Sequence, residues 1–210
     1  MPVARLAALA FAVLSPSCAL AQGYPARAVR LVVASSPGSG VDIVSRIVGQ
    51  RMSETLGAQM VIDNRPGVAG GVGVLSVAKA VPDGYTLLMA APSLTISASL
   101  ERDLPFDPIR DFSPVALGPR TPNIIAVNPA TPAGNLTELL DLARRVPLNY
   151  ASSGIGTTTH LSVERLKTSA KVDIVHIPYQ PAQAITAVVA GETQMSSTSM
   201  PPAVPQIKDR

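Results

Sequence analysis

Aromatic residues are scarce in this chain, and their scarcity removes several classes of function. The 210 residues include no tryptophan, four tyrosines and three phenylalanines. Because bases and sugars are commonly held by stacking on aromatic rings, no platform for either is expected. The formal net charge is only +3, and no run of basic residues is longer than Arg144-Arg145. The charge pattern therefore predicts no nucleic-acid partner.

Cysteine and histidine are nearly absent as well. Cys18 is the single cysteine, so no disulfide can form within the chain. The two histidines, His160 and His176, lack an H-x-x-x-H spacing and have no clustered carboxylates beside them, so no metal site is predicted. We interpret His176, inside the run Val175-His176-Ile177, as a hydrogen-bonded core residue. His160 is interpreted as structural or as lining a ligand site.

The N-terminus has the pattern of a secretory signal peptide. Arg5 supplies a positive charge, residues 6–14 are apolar without interruption, and Ala19-Leu20-Ala21 precedes Gln22. We expect residues 1–21 to be removed on export, which makes the mature protein periplasmic. The alternative is lipidation at Cys18.

Beyond the leader, β-branched apolar runs alternate with helical patterns. Strands are predicted near 29–34, 59–63, 86–91, 123–127, 148–151 and 173–177. This alternation predicts an α/β fold with mainly parallel sheets. The stretch 101–114, rich in charge and proline, is typical of a surface connection. We expect a first α/β lobe over 22–117 and a second over 118–210, whose final stretch, 196–205, is polar and proline-rich.

The helix after the first strand has the clearest pattern. Its apolar residues recur at spacings of three and four; they are Val44, Ile47, Val48, Met52 and Leu56. Asp42 is predicted as its N-cap and Gly57 as its C-terminal stop.

Two loops have the same construction. Residues 35–42 and 152–159 each follow a predicted strand, are rich in Gly, Ser and Thr, and lead into a helix. Backbone N–H groups at the positive end of a helix dipole suit an anion. Neither loop contains Lys or Arg, which favours a carboxylate held by amides and hydroxyls. The alternative is that each loop is only a tight turn with a Ser or Thr cap.

Enzymatic alternatives fit the same residues less well. Gly38-Ser39-Gly40 followed by Asp63 suggests a dinucleotide-binding turn, but Ile43 replaces its third glycine. A hydrolase nucleophile at Ser39 would need glycines where Pro37 and Val41 stand. A nucleotide-dependent enzyme is therefore kept only as a third hypothesis. No catalytic residue is predicted.

Several motifs occur in a fixed order along nearly all of the chain after the leader. They are Tyr24-Pro25 with 29–33, 37–42 (PGSGVD), 63–67 (DNRPG), 82–88 (PDGYTLL), 106–108 (FDP), 111–115 (DFSPV), 149–154 (NYASSG), His160-Leu161 and 176–179 (HIPY). In this order they resemble the TctC/Bug-type receptors of the tripartite tricarboxylate transporter family. One departure is Ser197-Thr198-Ser199, which stands where that family often has Phe-Asp-Asn, so the ligand is not identified.

The resemblance implies a periplasmic-binding-protein-like fold with two α/β lobes. It implies closure on a small di- or tricarboxylate without a cofactor, and delivery to the transporter's membrane permease. It also implies further sequence beyond the position of Arg210, so that the first lobe is expected to be incomplete. A truncated, non-binding remnant of such a receptor is the alternative function. The ligand contacts expected are Ser36, Gly38, Ser39, Gly40, Val41, Asp42, Ser153, Gly156, Thr157 and Thr158.

Overall fold

A computed structural model describes residues 23–208 of the chain, apart from the side chain of Val68. The predicted signal peptide and Cys18 lie outside the described residues. Within 23–208 the chain forms two β-sheets, each accompanied by helices. No helix in this part of the chain is both long and apolar enough to cross a membrane.

The first lobe is a three-stranded parallel sheet in the order β2-β1-β3. Its elements are β1 (Val29–Val33), α1 (Gly40–Leu56), β2 (Met60–Asn64), α2 (Gly71–Ala78), β3 (Thr86–Met89) and α3 (Ser93–Leu100). The central strand β1 has the apolar sequence VRLVV, and four of its five residues are buried. A strand buried on both faces is expected in a parallel sheet, because crossover helices cover both sides.

The second lobe is a four-stranded sheet in the order β4-β7-β5-β6. Its elements are β4 (Asn123–Val127), α4 (Leu136–Ala143), β5 (Leu148–Ser152), α5 (Thr158–Ala170), β6 (Ile174–Pro178), α6 (Gln183–Val189), β7 (Met195–Ser199) and α7 (Met200–Lys208). Only the β4–β7 pair is antiparallel. The predicted α/β class with mainly parallel sheets is confirmed.

No strand or helix was predicted in the polar, proline-rich stretch 196–205, and the structure has both there. Met195–Ser199 forms β7, which lies inside the second sheet between β4 and β5. Met200–Lys208 then forms α7, although it contains Pro205. Small hydroxyl side chains can be buried in a sheet interior when neighbouring strands satisfy the backbone. Such a strand has no apolar periodicity, so its sequence does not show it.

Helix α1 was predicted correctly in extent but not in its buried face. Gly57 ends it in the left-handed conformation at φ 65°, as expected. Ile47, however, is 61% exposed, whereas Ser45 and Gly49 are buried. A Cβ at Gly49 would lie 3.0 Å from Cδ1 of Ile62. The helix therefore approaches the sheet through small residues as well as through Met52 of its apolar stripe, which packs against the buried residues of the first sheet.

The connection between the lobes carries exposed apolar side chains. Residues 113–122 form neither helix nor strand. Val115 is 82% exposed and Leu117 is 84% exposed. An apolar strip of the chain is thus open to solvent between β3 and β4.

Candidate functional site

The first loop ends in a capped helix N-terminus. Ser39 is the N-cap of α1: its hydroxyl accepts the N–H of Asp42 at 3.2 Å, and its carbonyl accepts the N–H of Ile43 at 3.0 Å. The prediction of Asp42 as the N-cap was wrong, because it is the third helical residue. The first amides of a helix have no partner within it. Gly40 and Val41 therefore present their N–H groups at the positive end of α1.

Asp42 holds the first loop in shape. Its carboxylate accepts the N–H of Gly38 at 2.9 Å, the amide of Asn64 at 2.9 Å and Nε of Arg46 at 3.0 Å. Burial acts to raise the pKa of Asp42, but the bonds from Arg46, Gly38 and Asn64 outweigh it, and the pKa lies below its ordinary value. Gly38 itself has a left-handed φ of 76°, which favours glycine. The side chain of Asp42 is thus buried and bound within the first lobe.

The second loop repeats the arrangement. Thr157 is the N-cap of α5: its hydroxyl accepts the N–H of His160 at 3.3 Å, and its carbonyl accepts the N–H of Leu161 at 3.0 Å. The same hydroxyl donates to the carbonyl of Gly154 at 2.6 Å. By the same reasoning, the N–H groups of Thr158 and Thr159 are left without helical partners.

Two neighbouring histidines, His160 and His176, pack beside the second loop. Nε2 of His176 lies 2.7 Å from Oγ of Ser152, the last residue of β5. The Ser152 oxygen accepts the N–H of Gly154 at 3.2 Å, so its proton can be donated to an unprotonated His176. The His176 ring stacks on Tyr150 and lies 4.4 Å from the ring of His160. The hydrogen bond predicted for His176 is confirmed, but the residue is only partly buried and is not part of the core.

The surroundings keep His176 neutral. Burial, and then the neighbouring His160, lower the pKa of His176 to about 4. The hydroxyl of Tyr150, whose ring stacks on His176, donates to Oε1 of Glu164 at 2.8 Å. Nζ of Lys167 donates to the same oxygen at 2.9 Å. Ser152 is therefore held by an uncharged imidazole at neutral pH.

Both loops lie where the two lobes meet. A Cβ at Gly38 would lie 3.7 Å from Cβ of Ala182 in the second lobe. A Cβ at Gly156 would lie 3.3 Å from Cδ1 of Leu100 in the first lobe. Each loop also follows the carboxyl end of a parallel strand, where open α/β sheets bind ligands. The hydroxyl oxygen of Ser36 is buried there without a hydrogen-bond partner among the described residues.

The structure brings the sequence-predicted residues to these two helix ends. Ser36, Gly38 and Ser39 lie in the first loop, and Gly40, Val41 and Asp42 open α1; Ser153, Gly156 and Thr157 lie in the second loop, and Thr158 opens α5. Sequence analysis missed Ala182 and Ser199, which contact the first loop from the second lobe. Ser199 ends β7, the strand that was not predicted. The departure of 197–199 from the family pattern was the feature of the sequence that pointed to this segment.

Comparison with known proteins places the chain among transport receptors. The family model described as the tripartite tricarboxylate transporter family receptor matches residues 44–210. A UPF0065 protein from the tcbD-tcbE intergenic region of Pseudomonas sp. strain P51 is 36% identical over 196 residues, which cover 92% of this chain and 58% of the relative. BugT of Bordetella pertussis is 29% identical over 90% of this chain and 59% of BugT. The chain thus spans under two thirds of the length of these relatives.

Solved structures share the fold. A protein of R. palustris with adipate has a TM-score of 0.86 and 34% identity, covering 89% of this chain and 64% of that chain. MatC from Rhodopseudomonas palustris with bound malate has a TM-score of 0.79 and 29% identity, covering 89% of this chain and 65% of MatC. The periplasmic binding protein BugD has a TM-score of 0.83 and 28% identity, covering 89% of this chain and 63% of BugD. The expected periplasmic-binding-protein-like class is therefore confirmed.

Proposed function

The chain belongs to the receptor family of the tripartite tricarboxylate transporters, and we propose that it is a periplasmic receptor for a small carboxylated organic acid. The observation that carries the proposal is the pair of capped helix N-termini. Each follows a parallel strand, lies where the lobes meet, and leaves two backbone amides available. Carboxylates are favoured at such positions by the amides and by the helix dipole.

The two helix ends suggest a ligand with two acidic groups. One carboxylate would be held by the N–H groups of Gly40 and Val41, and the other by those of Thr158 and Thr159. The buried, unpartnered hydroxyl of Ser36 supports a ligand at the first helix end, because an unsatisfied buried hydroxyl is unfavourable. The related proteins solved with adipate and malate hold ligands of this chemical class.

The absence of cations from the loops supports a carboxylate over a phosphate. Residues 35–42 and 152–159 contain no Lys or Arg. Arg46, one turn into α1, is bound to both oxygens of Asp42. Phosphate sites commonly add an Arg fork or a Lys ammonium to the backbone amides.

Lobe closure is the mechanism that this geometry supports. With one helix end from each lobe, a ligand that bridges them stabilises the closed arrangement in proportion to its differential affinity. The proposal includes 22–117 and 118–210 as the two lobes, the periplasm as the location and the transporter's membrane permease as the partner. No reaction is proposed, because the family is one of receptors.

Ligand-dependent thermal unfolding tests the proposal. Succinate, malate, adipate and citrate are each added to the purified chain. A ligand at 100 times its dissociation constant adds about 2.7 kcal/mol to the free energy of unfolding, which raises Tm by several degrees. Adipamide, which keeps the shape of adipate without its charges, is the control. A cooperative transition that no acid shifts would contradict the proposal.

A further inference from the structure

The first loop lies close to the second lobe at Gly40. A Cβ built on Gly40 would overlap the hydroxyl oxygen of Ser199 and would lie 3.0 Å from Cβ of Ser199. It would also lie 3.8 Å from Cδ of Pro201. Gly40 opens α1 in the first lobe, and Ser199 ends β7 in the second. The two lobes thus meet at a point where only a hydrogen fits.

Backbone conformation does not require glycine at this position. Gly40 is absent from the residues with positive φ, unlike Gly38. An L-residue could therefore adopt its backbone angles without strain. Helix propensity also favours alanine over glycine. The contact with Ser199 is the feature of Gly40 that a side chain would disturb.

Neither side of the contact can easily move within its own lobe. On the first lobe, the Asp42 carboxylate ties the start of α1 to Asn64 of β2. On the second, Ser199 pairs with Asn123 of β4, and the N–H of Met200 bonds to the carbonyl of Pro122 at 3.0 Å. The Ser199 hydroxyl can rotate, but its Cβ is fixed by the strand.

We infer that Gly40 and Ser199 form the contact that sets how closely the two lobes approach, and that Ser199 is a positioning residue for the first carboxylate site. The positioning role of Ser199 rests on the proposed function, whereas the contact between Gly40 and Ser199 does not. The contact limits how near the amides of Gly40 and Val41 come to the second lobe. It therefore also limits how near they come to a ligand that both lobes bind. A larger residue on either side would hold the helix ends apart.

Gly71 provides a matched control. It occupies the same position in α2 that Gly40 occupies in α1, the first helical residue. A Cβ built on Gly71 meets nothing within 4 Å. Gly71→Ala therefore measures the helix-propensity effect of the same substitution without a contact.

The ligand-free test is a double-mutant cycle followed by thermal unfolding. We expect Gly40→Ala to lower Tm, Gly71→Ala to leave it unchanged or raise it, and Ser199→Gly to recover Tm in the Gly40→Ala background. Ser199→Ala, which removes only the hydroxyl, should recover less than Ser199→Gly. If Gly40→Ala fails to fold, Ser199→Val tests the same clash from the other side. Additive substitutions, or a Gly40→Ala protein that melts like Gly71→Ala, would overturn the contact.

The ligand test uses adipate, or whichever acid raises Tm most, with calorimetric titration. We expect Gly40→Ala to weaken binding about tenfold, equivalent to about 1.4 kcal/mol, and Ser199→Gly to restore it in that background. Unchanged affinity in Gly40→Ala would overturn the positioning role. If no acid binds the unmodified chain, the proposed function fails, whereas the unfolding cycle still decides the contact.

Discussion

Asp42 accepts the backbone N–H of Gly38, four residues earlier, at 2.9 Å. This bond closes the first loop upon the helix that follows it. The same carboxylate reaches Asn64 at the end of β2 and Arg46 one turn along α1, so one buried side chain fixes the loop, the helix start and a neighbouring strand. The amides of Gly40 and Val41 are therefore held in place before any ligand arrives.

Replacing Asp42 by Asn is expected to lower the free energy of unfolding by about 1–3 kcal/mol at pH 7, since charged hydrogen bonds of a buried group are lost. The pKa of Asp42 is depressed in the folded state, so its charge stabilises the protein above the ordinary aspartate pKa. That contribution is lost as the pH falls through the lowered value. Urea unfolding of both proteins across pH 3–7 measures it. Asp141→Asn is the control, because Asp141 forms an exposed pair with Arg144. The difference in the free energy of unfolding between Asp42→Asn and the unmodified chain should shrink on acidification. A difference that stays constant would contradict the stabilising role of the Asp42 charge.

His176 is expected to make stability fall as the pH drops from about 6.5 to about 4. Its pKa is lowered to about 4 in the folded state, while the unfolded chain takes up the proton at about 6.5. The unfolded state therefore binds more protons in this window, and stability rises with pH. Because His160, Glu164 and Lys167 also face this cluster, the measurement is the difference between the unmodified chain and His176→Gln. Parallel Tm profiles for the two proteins between pH 4 and pH 7 would show that His176 does not contribute.

Thr157→Ala is expected to remove about 0.5–2 kcal/mol of stability, the usual effect of losing an N-cap. The Thr157 hydroxyl accepts the N–H of His160 and donates to the carbonyl of Gly154. Its loss should therefore also weaken acid binding, because the second loop loosens. Thr157→Ser keeps the hydroxyl and is the matched control. Equal losses of affinity in both variants would show that the hydroxyl is not what matters.

Amino acids are expected to bind more weakly than the corresponding acids without an amino group. Asp42 is the one carboxylate in residues 35–42 and 152–159, and its oxygens are already bound by Arg46, Asn64 and Gly38. An ammonium group at these loops would lose water without gaining a free carboxylate as its partner. Calorimetric titration should give aspartate a dissociation constant at least about tenfold above that of succinate. Malate, with a hydroxyl in place of the amino group, controls for size; aspartate binding as tightly as malate would contradict the expectation.

Local patterns predicted the parts of the fold that local forces decide. β1 was found from a short, mostly apolar run, and α1 was found from its spacing and from Gly57. The two loops were found because each is rich in Gly, Ser and Thr and lies between a strand and a helix. The helix Ser93–Leu100 was not predicted. Helix α3 is only eight residues long and buries two serines, Ser93 and Ser97. Its sequence therefore has no clear apolar stripe.

The sequence by itself determined the class of fold and the two strand-to-helix loops rich in Gly, Ser and Thr, because each depends on residues close together in the chain. Only the tertiary structure decided that the Ser-Thr run of β7 belongs inside a sheet, since that strand is held by β4 and β5 from distant parts of the chain. It also decided that Asp42 turns inward to Asn64 and that Gly40 meets Ser199. These are contacts between segments that approach only when the sheets form and the lobes meet, and no spacing along the chain records them.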